Sequence, residues 1–279
     1  MFAGTPALDS LKWYEDTLSV LSKQILLEKG DSMKYAANAK FKKLLKSAIQ
    51  LEGAMDYPFD SLFTIGILDS PDKVFRIFNW HIKRENTTYE YFAFILYYNK
   101  SQKKYYINEL IDKSDNINNP EFARKVTMDN WFGAHYYTIV GKKRKNKSYV
   151  LLGWDGNFWN TQRKIVETIS FNNKGVPKFG ASRIKWGNRS KYRILLQYST
   201  SVTATLRYEP RLKMIVFDHL VPPRPELTGI YHTYVPSGKF DGLTLKNNRW
   251  IYEHDVDARA FDLKRKRRTS PPRKLNGNN

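Results

Sequence analysis

Apolar residues recur at spacings of three and four through DSLKWYEDTLSVLSKQILLEK, residues 9–29, where Leu11, Tyr14, Leu18, Leu21, Ile25 and Leu26 form one stripe. That period predicts an amphipathic helix. Asp9 or Ser10 serves as its N-cap, and Gly30 ends it. A second helix follows over about 32–52, with Phe41, Leu44, Leu45, Ala48 and Ile49 on one face. Gly53 stops that helix, and Pro58 breaks the pattern in AMDYPFDSL.

From about residue 62 the period drops to two. SPDKVFRIFNWHIK (70–83) opens with the turn residues Pro71 and Asp72 and continues through Val74, Arg76, Phe78 and Trp80. The turn ENTT, the long buried run TYEYFAFILYYN, the turn NKSQKK and YYINELID complete a three-stranded meander. A loop spans 112–129. Further strands read WFGAHYYTIV, SYVLLGW, RKIVETISF, YRILLQYS, VTATLRY, KMIVFDHL, DGLTLKN and RWIYEHD, separated by short polar turns such as GKKRKNK, NNKG and KNN.

Two helices followed by about a dozen strands, with no helix between strands, predict an α+β fold with a mostly antiparallel sheet. We expect a helical region over 1–56 and a large curved β-domain over 57–260, barrel-like, sandwich or propeller-like. The end of the chain, 261–279, is basic and poor in apolar residues, the composition of a disordered tail. No apolar run reaches the length of a membrane helix; FAFILYY (92–98) is the longest. The opening segment lacks a basic region followed by an apolar one, so a signal peptide is absent from the chain as given.

Composition narrows the function classes. Eighteen tyrosines and sixteen phenylalanines supply core and favour strands. With 47 Lys and Arg against 27 Asp and Glu, the net charge of +20 favours acidic partners without choosing among them. The lack of cysteine excludes disulfides, Cys-zinc sites and thiol catalysis.

LLGWDGN (151–157) poses the sharpest local question: ligand loop, metal loop or turn. Asp-Gly-Asn after an apolar strand is turn vocabulary, and the following FWNTQRK lacks the carboxylates of a calcium loop. Trp154, Asn157 and Trp159 are candidate binding residues, since exposed tryptophans stack on sugars or bases. Of the five histidines, no two have helical metal-site spacing, and no metal ligand or cofactor is assigned. FDHL sets Asp218 beside His219, and EHDVD sets His254 beside Asp255. Neighbours on a strand point to opposite faces, so neither pair is an acid–base dyad by itself. Asp155, Asp218 and His219 are nevertheless the best available catalytic candidates. Arg224, within VPPRPEL, could rim a pocket; an edge crossover is the plainer reading.

YFAFILY (91–97) partly matches the aromatic half of an RNA-recognition strand motif, but the leading basic-Gly pair and the intervening helices are missing. The GKKRKNK loop and the KRKRR tail could touch phosphates nonspecifically. No phosphate-cradling glycine loop is present.

The strings DYPFDSL, SPDKVFRIFNW, YFAFILY, YVLLGWDGN, TLRY, IVFDHLVPPRPELTG and KFDGL…RWIYEHDVDAR together resemble a group of exported β-rich proteins of the Bacteroidetes. The resemblance implies export by a signal peptide, to a periplasmic, outer-membrane-associated or secreted location, and carries over no catalytic residue. Exported proteins of that phylum are O-glycosylated at Asp, then Ser or Thr, then an apolar residue. DSL, DTL, DSM and DSL match, making Ser10, Thr17, Ser32 and Ser61 acceptor candidates; ordinary N-capping explains Asp9 and Asp31 equally. The leading expectation is a non-enzymatic binding or structural protein of the cell envelope, a subunit of a larger assembly, with an envelope protein or anionic glycan as partner. The alternatives are a hydrolase of envelope glycan or peptide, and a nucleic-acid binder, which export disfavours.

Overall fold

The computed structural model describes residues 6–124, 126–141, 148–156, 159–180 and 184–258. Helix α1 spans Pro6–Leu27 and α2 spans Asp31–Ala48. Gly30, at φ 92, turns the chain between them, a conformation that costs glycine little. The second helix stops four residues before its expected end. Leu51 and Ala54 amides bond back only three residues, and Gly53 takes φ 85 in the turns that follow.

The expected meander gains a strand. β1 (Gly66–Asp69), β2 (Phe75–Lys83), β3 (Tyr89–Asn99) and β4 (Lys104–Ile111) form a first antiparallel sheet in that order. β2 and β3 are buried on both faces. Phe78, Trp80, Ile82, Phe92, Phe94 and Leu96 point one way, into a core with Leu11, Leu18 and Ile25 of α1 and Phe41 and Leu45 of α2. Phe75, Ile77, Tyr91, Ala93, Ile95 and Tyr97 point the other way. This period-two division is why the run reads as continuously apolar.

Those residues meet a second sheet of β5 (Val126–Thr127), β9 (Pro177–Phe179), β8 (Thr161–Phe171), β7 (Ser148–Asp155) and β6 (His135–Val140), with β12 (Arg193–Ser199) also paired to β8. Its far face, with Val150, Leu152, Val166 and Ile194, builds a third core against a third sheet. That sheet runs β11 (Arg189–Lys191), β10 (Ile184–Trp186), β16 (Arg249–Glu253), β15 (Val235–Lys246), β14 (Met214–Val221) and β13 (Leu206–Glu209). All pairs are antiparallel except β10 with β16.

The fold is therefore α+β, as expected, with layers in the order helices, sheet, sheet, sheet. Among the described residues the strands form three open sheets and do not close into a barrel. Three separate cores, each filled by alternate residues of neighbouring sheets, hold the stack, and a fully buried Leu or Phe contributes about 1.5–3 kcal/mol. Buried polar groups fix the layers in register. Asn79 donates to the Gly66 carbonyl at 3.0 Å and accepts the Tyr136 amide at 2.7 Å, joining the first sheet to the second. Trp80 Nε1 donates to Asn38 at 2.7 Å, joining the first sheet to α2. No helix among the described residues is long and apolar enough to cross a membrane.

Candidate functional site

LLGWDGN lies at a strand end. Asp155 closes β7 and Gly156 follows it, with β8 starting at Thr161, so the segment leads into the β7–β8 turn. Asn157 falls outside the described residues. Asp155 is 6% exposed. It accepts the Tyr91 hydroxyl at 2.9 Å and faces Arg163 across the strand pair at 3.3 Å. Tyr91 also accepts the Gly156 amide at 2.7 Å. These bonds use Asp155 as an internal tie. Trp154 is half-buried, donates to Gln162 at 2.8 Å and packs edge-on to Tyr89. Trp159 stands 72% exposed in the turn, at φ 57. Arg224 is exposed and precedes a 3₁₀ turn at Pro225–Leu227, where its carbonyl accepts the Leu227 amide.

Asp218 is buried and accepts the Thr205 amide at 2.6 Å, tying β14 to the segment before β13. His219 turns away from it, as strand alternation requires. Asp218 and His219 thus point apart, as strand alternation predicts, and His219 joins His254 in a cluster around Asp241, a residue the sequence pattern did not single out. His219 Nδ1 lies 2.7 Å from Asp241 Oδ2, and His254 Nδ1 lies 2.8 Å from Asp241 Oδ1. Tyr252 donates its hydroxyl to Oδ2 at 2.8 Å, and the Asp255 amide donates to Oδ1 at 3.1 Å.

Strand geometry explains the convergence. β15 pairs with β16 so that Gly242 faces Glu253; one step further, Asp241 faces His254. On the other side Phe217 faces Asp241, placing His219 on the same sheet face two residues along. The β14–β15 register shifts between Asp218 and Leu220, so His219 sits in the irregularity. Bulges of this kind re-aim a side chain. The same face continues as an aromatic shelf: Tyr252 stacks on Trp186 at 3.9 Å, and Trp186 on Phe217 at 6.0 Å.

Asp241 is 3% exposed. Burial alone would raise its pKa, but the bonds from His219, Tyr252 and the Asp255 amide hold it below the usual carboxylate value. Burial, and then the same carboxylate, push the Tyr252 phenol well above its ordinary range. The cluster therefore offers one anionic carboxylate and two imidazoles. The His219 and His254 side chains are 29% and 54% exposed, so the group is open to solvent.

A second histidine pair lies between the first two sheets. His81 and His135 rings are 5.3 Å apart, edge to face, beside Tyr89, Tyr91 and Trp154. Both Nδ1 atoms are buried and have no hydrogen-bond partner among the described residues. Burial, with His135 nearby, lowers the His81 pKa to about 4, and burial lowers that of His135.

Phe92, Phe94 and Tyr97 of the RNA-motif-like strand are buried in the two cores, so they present no base-stacking platform. The basic loop 142–147 and the tail segment 264–273 lie outside the described residues. Ser10, Thr17, Ser32 and Ser61 are all exposed. The outward side of α1 carries Trp13, Val20 and Leu27, which are 60%, 57% and 72% exposed. Their spacing of seven aligns them along one line of the helix. Phe63, 73% exposed, lies beside this ridge beneath the Lys23 ammonium, 5.2 Å from its ring centre.

In comparison with known proteins, no family model matches the chain, and no curated protein or solved structure does either.

Proposed function

We propose that the chain is a non-catalytic binding protein of the bacterial cell envelope, docking an envelope protein through the outward face of α1. The observation that carries this reading is the ridge of Trp13, Val20 and Leu27 with Phe63 beside it, four large apolar side chains turned to solvent. Large apolar side chains aligned and exposed on one helix face supply the apolar area an interaction surface needs. Lys12, Asp16 and Lys23 flank the ridge on one side, in a chain of net charge +20, and Thr17 and Gln24 on the other. The complementary partner presents an apolar strip edged by carboxylates.

The engagement of Asp155 and Asp218 in internal bonds weighs against the hydrolase alternative. Export rests on the resemblance to exported Bacteroidetes proteins. The exposure of Ser10, Thr17, Ser32 and Ser61 meets the steric requirement of O-glycosylation, and Ser10 and Thr17 would place glycan along the edge of the ridge.

A photo-crosslinking residue at position 20, in full-length chain expressed in the native organism, tests the proposal. The expected result is a single heterologous adduct from the envelope fraction, absent when the residue is placed at the exposed position 43 of α2. An adduct of twice the chain's own mass, or none, would overturn it.

A further inference from the structure

We propose that His219, Asp241 and His254 form a binding site for one divalent transition-metal ion of the zinc type. The proposal is independent of the α1 ridge and concerns the opposite end of the layer stack.

Three observations carry it. First, the donor set is chemically selective. Two imidazole nitrogens and one carboxylate oxygen lie within 4.8 Å of one another. Two histidines with one carboxylate suit zinc, nickel, copper or iron, whereas calcium and magnesium take oxygen ligands. Around an ion with Zn–N of about 2.0–2.1 Å, tetrahedral ligands stand roughly 3.3 Å apart. The 2.7 and 2.8 Å nitrogen–oxygen spacings, which run to the two different oxygens of Asp241, open by about half an ångström on binding, and the widest donor separation, within 4.8 Å, closes by up to about 1.5 Å.

Second, Asp241 is a buried carboxylate that, among the described residues, forms ion pairs with the two imidazoles and with no lysine or arginine. Asp155 faces Arg163, and Glu167 faces Arg193. Around Asp241 the described residues place two imidazoles, the Tyr252 hydroxyl and the Asp255 amide. A divalent cation held by the carboxylate and the two imidazoles supplies the positive charge that an arginine supplies at the other two sites.

Third, the surroundings are arranged as a support. Tyr252 donates to Asp241 at 2.8 Å and is itself held by stacking on Trp186, while the Asp255 amide bonds the other oxygen. Partners that orient ligands in this way tune metal affinity. The three ligands come from β14, β15 and the residue following β16, so a rigid sheet sets their spacing. The exposed edges of His219 and His254 give the ion its entry path, and a fourth position is left to water.

Tag-free, chelator-stripped full-length chain is titrated with Zn²⁺, with Co²⁺ as a spectroscopic stand-in. One equivalent is expected to bind, with the intense visible bands of four-coordinate Co²⁺, and Mg²⁺ and Ca²⁺ are not expected to compete. His254→Gln and Asp241→Asn should abolish the stoichiometric binding, Tyr252→Phe should weaken it about 10-fold, and His232→Ala, at an exposed histidine of the 3₁₀ turn Tyr231–Thr233 outside the cluster, should leave it unchanged. A readout that needs no variant is diethyl pyrocarbonate labelling followed by mass spectrometry. Zn²⁺ should protect His219 and His254 while His232 stays reactive. Absence of a stoichiometric Zn²⁺ equivalent, binding that survives His254→Gln, or labelling of His219 and His254 that Zn²⁺ does not slow would overturn the proposal.

Discussion

Arg193 on β12 stands directly opposite Glu167 on β8, and the two form an ion pair sealed from water, with side chains 1% and 0% exposed. Glu167 also accepts the Tyr136 hydroxyl at 2.6 Å, and Arg193 donates to the Pro120 carbonyl at 2.8 Å while its guanidinium lies over Phe132. The pair thus ties β6, β8 and β12 to the loop before β5. Removing one partner leaves a buried charge uncompensated, which costs about 3–5 kcal/mol. Glu167→Gln and Arg193→Met should each lower the urea-derived stability by that amount. The double variant Glu167→Leu/Arg193→Met should recover most of the loss, because apolar packing replaces a desolvated pair well. Single variants within about 1 kcal/mol of wild type would show that the pair is not sealed.

His81 makes acid stability a measurable property of the core. Its unfolded imidazole gains a proton near pH 6.5, but the folded one does so only near pH 4, because burial and His135 oppose the charge. Between those values the unfolded chain binds more protons, so stability falls as pH falls. Each pKa unit is worth about 1.4 kcal/mol, which makes the loss on the order of 3 kcal/mol by pH 4. His81→Phe should flatten the dependence of the denaturation midpoint on pH between 7 and 4. An unchanged slope in that variant would assign the acid loss to other groups.

The helices and most strands were legible because period four and period two survive wherever one face is buried. β2 and β3 were readable as strands despite burial on both faces, since their flanks carry turn residues. β1, β5, β9, β10 and β11 were not, being two to four residues long, too short for a period to show. The layer order was hidden because alternation shows that a residue is buried, not which sheet covers it. Half of the Asp241 cluster was within reach. The Lys246–Arg249 turn has Asn247 and Asn248 at φ 48 and 60, as a two-residue hairpin turn requires. Counting back from it sets Asp241 against His254. The approach of His219 was not accessible, because it depends on the irregularity after Asp218 and on a pairing across the long 222–234 connection.

Gly156 answers the question raised by LLGWDGN in steric terms. A Cβ there would fall into the ring of Tyr89. That ring cannot swing aside freely, since it packs edge-on to Trp154 at 5.2 Å and beside Tyr91. Gly156→Ala should therefore destabilise the protein by about 1–3 kcal/mol, the range for overpacking. The cost should shrink in a Tyr89→Ala background, where the methyl has room. Additive effects of the two changes, measured as a double-mutant cycle in urea, would rule out this clash as the cause.

Leu18 and Val20 are two residues apart on α1 and should respond oppositely to substitution. Leu18 is 0% exposed and packs in the core beneath the first sheet, whereas Val20 is 57% exposed on the ridge. Truncating a buried leucine costs the transfer energy of its carbons plus a cavity, about 2–5 kcal/mol. An exposed substitution away from special features stays within about 0.5 kcal/mol. Leu18→Ala should thus lower the thermal midpoint markedly, while Trp13→Glu, Val20→Glu and Leu27→Glu together should leave it nearly unchanged. The contrast matters because a ridge retained for packing would lose stability when charged, whereas a docking ridge loses only its partner. A large drop in the melting temperature of the triple variant would place the ridge inside the fold's own stability and remove it as a docking surface.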